Sequence, residues 1–163
     1  MRAKIRMTSN LTAQSENNRP EEDDRLHEEC GIFGIYGYDD ASAHTVLGLH
    51  ALQHRGQEAA GIVAFDGEHF HSHRALGLVG DHFNSEAVIR RLPGGQAIGH
   101  VRYSTTGEPA LRNVQPLFAD FKFGGLSIAH NGNLTNAVRC RHDLVQRGCL
   151  FQSTSDTEII VHL

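Results

Sequence analysis

The chain changes character at a single residue, and that break decides where folding can begin. Residues 1–29 are rich in Asn, Gln, Glu, Asp, Arg and Ser, and residues 19–25 hold scarcely an apolar side chain. Such a stretch cannot bury enough surface to offset its ordering entropy, so residues 1–29 are expected to be disordered. Cys30 then opens Gly31-Ile32-Phe33-Gly34-Ile35-Tyr36, an apolar run that reads as a strand whose glycines permit close backbone approach. Composition alone favours a plain solvated tail; the alternative is a propeptide removed before Cys30. In the second case Cys30 carries a free α-amino group beside its thiol. A free thiol and a chain α-amino group titrate near roughly 8.5 and 8, so an N-terminal nucleophile brings its own general base. A small buried hydrophobe is the commonest other fate of a free cysteine.

With 163 residues and a net charge of −4 from interspersed charges, the chain suits one domain with a real core behind its leader. That charge pattern gives no reason to expect nucleic acid or a membrane as partner. No apolar run approaches the roughly 20 residues of a membrane span, and residues 1–29 lack the apolar core of a secretory signal. The three cysteines (Cys30, Cys140 and Cys149) show no C-x-x-C spacing, and an odd, low count favours the reducing cytoplasm. Cys140 and Cys149 read as packing residues. His69, His71 and His73 would share one strand face, but no second cluster or carboxylate accompanies them, so no metal site is expected. Neither a G-x-x-x-x-G-K-[ST] phosphate loop nor a G-x-S-x-G nucleophile elbow is present.

Periodicity predicts strands over residues 32–36, 97–103 and 126–130, and a hairpin of 61–65 with 69–74 around Asp66-Gly67. It predicts helices over 41–53, 85–92 and 134–147, the last stopped by Gly148. A final helix starts at Ser155, where Ser155-Asp156-Thr157-Glu158 has capping-box form, and its early end at residue 163 suggests a piece of a longer chain. Strands mixed with helices and joined by glycine-rich turns give a layered α+β domain over residues 30–163.

Beyond Cys30, three polar clusters cap these apolar strands. Arg102, in Gly99-His100-Val101-Arg102-Tyr103-Ser104-Thr105, could offer two parallel N–H groups to the α-carboxylate of an amino acid; a surface ion pair is the plainer alternative. In His130-Asn131-Gly132-Asn133-Leu134, a side-chain amide and the next backbone N–H could form an oxyanion hole, where an ordinary Asn-Gly turn is the other reading. Asp156, in the first turn of the last helix, either accepts hydrogen bonds from a substrate ammonium or merely suits the helix dipole.

Taken together, the clusters resemble the glutamine amidotransferase domain of the amidophosphoribosyltransferases of purine synthesis, over residues 28–163. The motifs that carry the resemblance are Glu29-Cys30-Gly31-Ile32-Phe33-Gly34, Gln53-His54-Arg55-Gly56-Gln57-Glu58-Ala59-Ala60-Gly61, Gly99-His100-Val101-Arg102-Tyr103-Ser104-Thr105, His130-Asn131-Gly132-Asn133-Leu134-Thr135-Asn136 and Ser153-Thr154-Ser155-Asp156-Thr157-Glu158. Gln57-Glu58 after His54-Arg55-Gly56 sets the chain apart from the related asparagine synthetases and hexosamine-forming enzymes.

The resemblance implies an N-terminal-nucleophile hydrolase fold, a four-layer αββα sandwich, and removal of residues 1–29 as a propeptide. It implies that Cys30 attacks the glutamine carboxamide, with Asn131 and Gly132 as the oxyanion hole. Arg102 and Asp156 would bind the substrate's carboxylate and ammonium, with Arg55, Gly56 and Thr105 in the same site. The products would be glutamate and ammonia. A phosphoribosyltransferase domain would be the partner and ammonia consumer; its pyrophosphate-binding signature is absent from these 163 residues. No cofactor is expected in this chain; magnesium, and any iron–sulfur cluster, would belong to that C-terminal part. The full-length enzyme is expected to be a homo-oligomer. The competing reading is a non-catalytic fragment or regulatory module of such an amidotransferase.

Overall fold

A computed structural model describes residues 30–103 and 110–163; the expected leader and Thr105 lie outside the described residues. The apolar run after Cys30 forms β1 (Gly31–Tyr36), and Ala41–Ala51 forms helix α1. A strand–turn–strand unit follows, β2 (Ala59–Phe65) and β3 (Phe70–Leu76). The Asp66 carboxylate closes its turn by accepting the N–H groups of Glu68 at 2.9 Å and His69 at 2.7 Å. Two four-residue helices, α2 (Val79–His82) and α3 (Glu86–Ile89), lead to β4 (Gln96–Arg102). The second half contributes the hairpin β5 (Leu117–Phe121) and β6 (Gly124–Ile128), then α4 (Ala137–Gln146) and α5 (Thr157–His162).

Four strands make one antiparallel sheet in the order β1-β4-β2-β3. The residues of β2 are buried from Ala59 to Ala64, which explains its uninterrupted apolar sequence in place of an alternating one. On one face, α1 packs Ala41, Val46 and Leu49 against Ala60, Ile62, Ala97 and Val101. Burial of each larger member is worth about 1.5–3 kcal/mol. The helix crosses the sheet at Gly99, where a Cβ would stand 2.6 Å from Thr45 Cγ2 and 2.8 Å from Leu49 Cδ1. The opposite face meets the second sheet: a Cβ on Gly61 would stand 2.2 Å from the Gln115 carbonyl oxygen, and Phe70 stacks on Phe118 with ring centroids 6.2 Å apart. Helix α5 contacts β5 and β6, and α4 contacts α5. The layers thus run helix, sheet, sheet, helix, the expected αββα order, with β5 and β6 forming the second sheet among the described residues.

Several elements differ from their expected bounds. The first helix stops at Ala51, and Gln53–Arg55 tightens into a 3₁₀ turn. Helix α3 keeps one turn of the expected 85–92, capped by Ser85 Oγ accepting the Val88 N–H. Helix α4 begins three residues late because the Leu134 N–H is drawn to the Asp156 carboxylate at 2.8 Å. It ends as expected at Gly148, whose φ of 92° suits a residue without Cβ. There Cys149 N–H reaches the Leu144 carbonyl at 3.0 Å and Gly148 N–H the Val145 carbonyl at 2.9 Å, the Schellman pattern. The capping box is not formed. Glu158 reaches back past Ser155 to the N–H groups of Gln152 and Ser153 and to Ser153 Oγ, at 2.6–2.8 Å. These bonds outweigh burial, which pushes its carboxyl up, and hold it below the ordinary range. Among the described residues no helix is long and apolar enough to cross a membrane.

Candidate active site

The antiparallel register of β1 on β4 pairs Gly31 with Val101, so Cys30, one residue before the strand, falls beside the end of β4. Its thiol sits 3.4 Å from both the N–H and the carbonyl oxygen of Tyr103. Its carbonyl oxygen accepts Asn131 Nδ2 at 2.7 Å and Arg55 Nε at 3.2 Å. The residue is therefore held on both backbone and side chain by segments 25, 73 and 101 positions away. Cys30, Arg102, Asn131, Gly132 and Asp156 line one cleft of about 540 Å³ between the sheet ends.

Each cluster has its own support. Arg102 Nη1 donates to the Asn113 carbonyl at 2.9 Å. Asn113 is locked in turn by Thr154, through Nδ2 to Thr154 Oγ1 and from Thr154 N–H to Oδ1, both 2.9 Å. Gln115 fixes the loop that carries the Asn-Gly pair: its Oε1 accepts the His130 N–H at 2.6 Å and its Nε2 donates to the His130 carbonyl at 3.2 Å. Gly132 lies against the His130 ring: a Cβ there would stand 2.8 Å from His130 Nε2, so any side chain would have to displace that ring. Asp156 occupies the N-cap position of α5 without capping it. Its Oδ2 takes the Leu134 N–H, and its Oδ1 lies 3.8 Å from His130 Nδ1.

Gly56 is placed differently from the others. It packs flat on β4, where a Cβ would stand 2.7–2.8 Å from the Arg102 and Val101 backbone, so it allows close approach behind Arg102. The reading from residues missed Tyr103, Asn113, Gln115 and Thr154. Tyr103 and Thr154 carried a local signal, their places in the Arg102 and Asp156 motifs; Asn113 and Gln115 act through contacts across the fold.

The expected histidine face dissolves into separate contacts. His71 Nε2 pairs with Asp66 Oδ2 at 2.7 Å, and His73 sets its ring edge-on to Phe83 at 5.1 Å. The His69 N–H and the His71 ring hold the Asp66 carboxyl well below its ordinary value. Among the described residues no group of three or more His, Cys, Asp or Glu is arranged to hold a metal ion.

His100 also lines the cleft yet is fully buried, and neither ring nitrogen has a hydrogen-bond partner among the described residues. Burial first, then the charge of Arg102 and that of His130, lowers its pKa from 6.5 to about 4. Neutral His100 is accommodated at neutral pH, but the unfolded chain gains its proton as pH falls through about 6.5 while the folded chain does not. Stability is therefore expected to fall between pH 6.5 and 4, by up to about 3 kcal/mol for the full shift. His73, also lowered by burial, pulls the same way, whereas Glu158 acts only at lower pH, as its carboxyl protonates. Urea unfolding at pH 7 and 4.5 should show a large part of this loss removed by His100→Leu; an unchanged pH slope would refute the assignment to His100.

Comparison with known proteins now adds to this geometry. Residues 100–163 match the family described as a glutamine amidotransferase domain. The chain is 61% identical over 144 residues to the amidophosphoribosyltransferase of Rhizobium etli, covering 88% of this chain and 29% of that protein. It is 49% identical over 144 residues to the amidophosphoribosyltransferase of Lacticaseibacillus casei, covering 88% of this chain and 74% of that one. A solved glutamine phosphoribosylpyrophosphate amidotransferase from Bacillus subtilis, complexed with ADP and GMP, superposes with a TM-score of 0.73. That match is at 47% identity and covers 81% of this chain and 28% of the other. The chain thus spans under a third of the Rhizobium and Bacillus proteins. With Cys30, Arg102, Asn131, Gly132 and Asp156 in one cleft, and with 49% identity to a relative of which it spans 74%, the chain belongs to the amidophosphoribosyltransferase family and carries its glutamine amidotransferase domain.

Proposed function

We propose that the chain hydrolyses the side-chain amide of L-glutamine, supplying ammonia to a phosphoribosyltransferase domain for 5-phosphoribosylamine formation in the cytoplasm. The observation that carries the reading is the convergence of Cys30, Asn131, Gly132, Arg102 and Asp156 on one cleft. Freed at its N-terminus, Cys30 passes its thiol proton to its own α-amino group and attacks the amide carbon. The carbonyl oxygen gains charge as the sulfur–carbon bond forms. Asn131 Nδ2 carries two hydrogens, one on the Cys30 carbonyl, so the other is available with the Gly132 N–H for that oxyanion. The carbon–nitrogen bond then breaks, the α-ammonium returns its proton to the leaving nitrogen, and ammonia departs. Water attacks the thioester, releasing glutamate and the thiol. Arg102 holds the substrate carboxylate and Asp156 its ammonium. Arg55 steadies the Cys30 carbonyl.

The test is protection. An electrophilic glutamine analogue should label the protein once, at Cys30, and L-glutamine should suppress that labelling while being converted to equal amounts of glutamate and ammonia. Labelling indifferent to L-glutamine, with no ammonia released, would refute the proposal.

A further inference from the structure

Five buried side-chain atoms lack a hydrogen-bond partner among the described residues: Glu58 Oε2, both ring nitrogens of His100, Arg102 Nε and His130 Nδ1. Three of these residues line the cleft, and the fourth, Glu58, lies directly behind Arg102. Its backbone is fastened on both sides. The Glu58 N–H donates to the Arg102 carbonyl at 3.1 Å, and its carbonyl accepts the Gly77 N–H at 2.7 Å. From that anchor, Glu58 Oε2 approaches Arg102 Nε to 3.7 Å, with both side chains largely buried. This is ion-pair distance but too long for a hydrogen bond. A second contact fixes the other end of the guanidinium, Nη1 on the Asn113 carbonyl. With Nη1 bonded to Asn113 and Nε facing the Glu58 carboxylate, the group has the Nη2 side of its fork left for a ligand.

A largely buried guanidinium without a counter-charge would be costly, and one held at a single point would sample several orientations. We propose that Glu58 is a positioning residue for substrate binding: its carboxylate balances and orients the Arg102 guanidinium so that the remaining N–H groups face the α-carboxylate of the amino acid. The inference rests on the glutamine reading above and adds a residue to it. Glu58 touches no reacting atom, so its removal should weaken ground-state binding and leave the chemical step nearly intact.

Glutamine hydrolysis by the processed full-length protein tests this with Glu58→Gln, Glu58→Asp, Arg102→Lys and the double variant Glu58→Gln/Arg102→Lys. Glu58→Gln keeps the shape and loses the charge; it should raise the KM for glutamine by about tenfold or more, with kcat changed less than about threefold. Glu58→Asp, which restores the charge on a shorter arm, should recover part of the loss. The double variant should be little worse than Arg102→Lys alone, because the two residues act as one unit. Arg102→Lys raising KM while Glu58→Gln leaves it unchanged would overturn the role of Glu58 alone, as would additive effects in the double variant. Arg102→Lys leaving KM unchanged would instead overturn the carboxylate assignment, and this inference with it.

Discussion

A chain that keeps residues 1–29 is expected to release no measurable ammonia from L-glutamine, whereas the same chain beginning at Cys30 turns over. While residue 29 is attached, the Cys30 nitrogen is an amide whose lone pair is delocalised, and it cannot accept the thiol proton. Among the described residues no other base is placed to do so. The described groups within hydrogen-bonding reach of the Cys30 sulfur are the N–H and carbonyl of Tyr103, neither of which is a base. Losing a general base costs about 10²–10⁴ in rate, and here the acid for the departing ammonia goes with it. Mass spectrometry of the active protein should show a chain starting at Cys30. The glutamine-analogue electrophile should label only that form, and Cys30→Ala should abolish both labelling and turnover. Full turnover by a chain that still begins at Met1 would rule out the N-terminal-nucleophile mechanism.

The second large effect is expected at Asn131. Asn131→Ala should lower kcat by ~10² or more with a smaller change in KM, because an oxyanion donor acts mainly in the transition state. The geometry makes the effect larger than for an isolated donor, since Nδ2 also holds the Cys30 carbonyl at 2.7 Å. Arg55 keeps its own bond to that carbonyl, so the nucleophile is loosened but not released. In full-length protein, synthesis from supplied ammonia should survive the substitution, which separates a lost donor from a lost fold. If KM alone rises, Asn131 binds substrate and does not stabilise the oxyanion.

The contrast between Asn131 and Asn113 shows what could be read from the chain. Asn131 stands in a short run with Gly132 at the end of a strand, so its residue type and neighbours suggested a donor pair before any contact was known. Asn113 lies in an unremarkable Leu111-Arg112-Asn113 turn, and its part in holding Arg102 depends on Thr154, 41 residues away. Helix α2 shows the same limit at the level of elements. Four residues are too few to display a helical period, and α2 forms where Gln53 Oε1 accepts the Val79 N–H at 2.7 Å. Strand β5 was missed because its partner β6 and the Phe70 ring complete its surroundings.

Local sequence determined the elements with enough repeats to show a period, namely β1, the β2–β3 hairpin, β4 and most of α1 and α4, and the residue types able to do chemistry. The composition break picks out Cys30 as a candidate, but composition alone favours a plain tail, and the nucleophile assignment comes from the family resemblance. The sheet order β1-β4-β2-β3 and the stacking of the β5–β6 hairpin were decided only in three dimensions. Hydrophobic periodicity says which face of a strand is buried, not which strand lies beside it. That order sets Ala59 against Arg102 and so brings Glu58 to the guanidinium; it also buries His100 between Ile32 and Gly61 of the neighbouring strands. The charge balance of the cleft follows from that pairing, since burial and counter-charges exist only once distant segments have met.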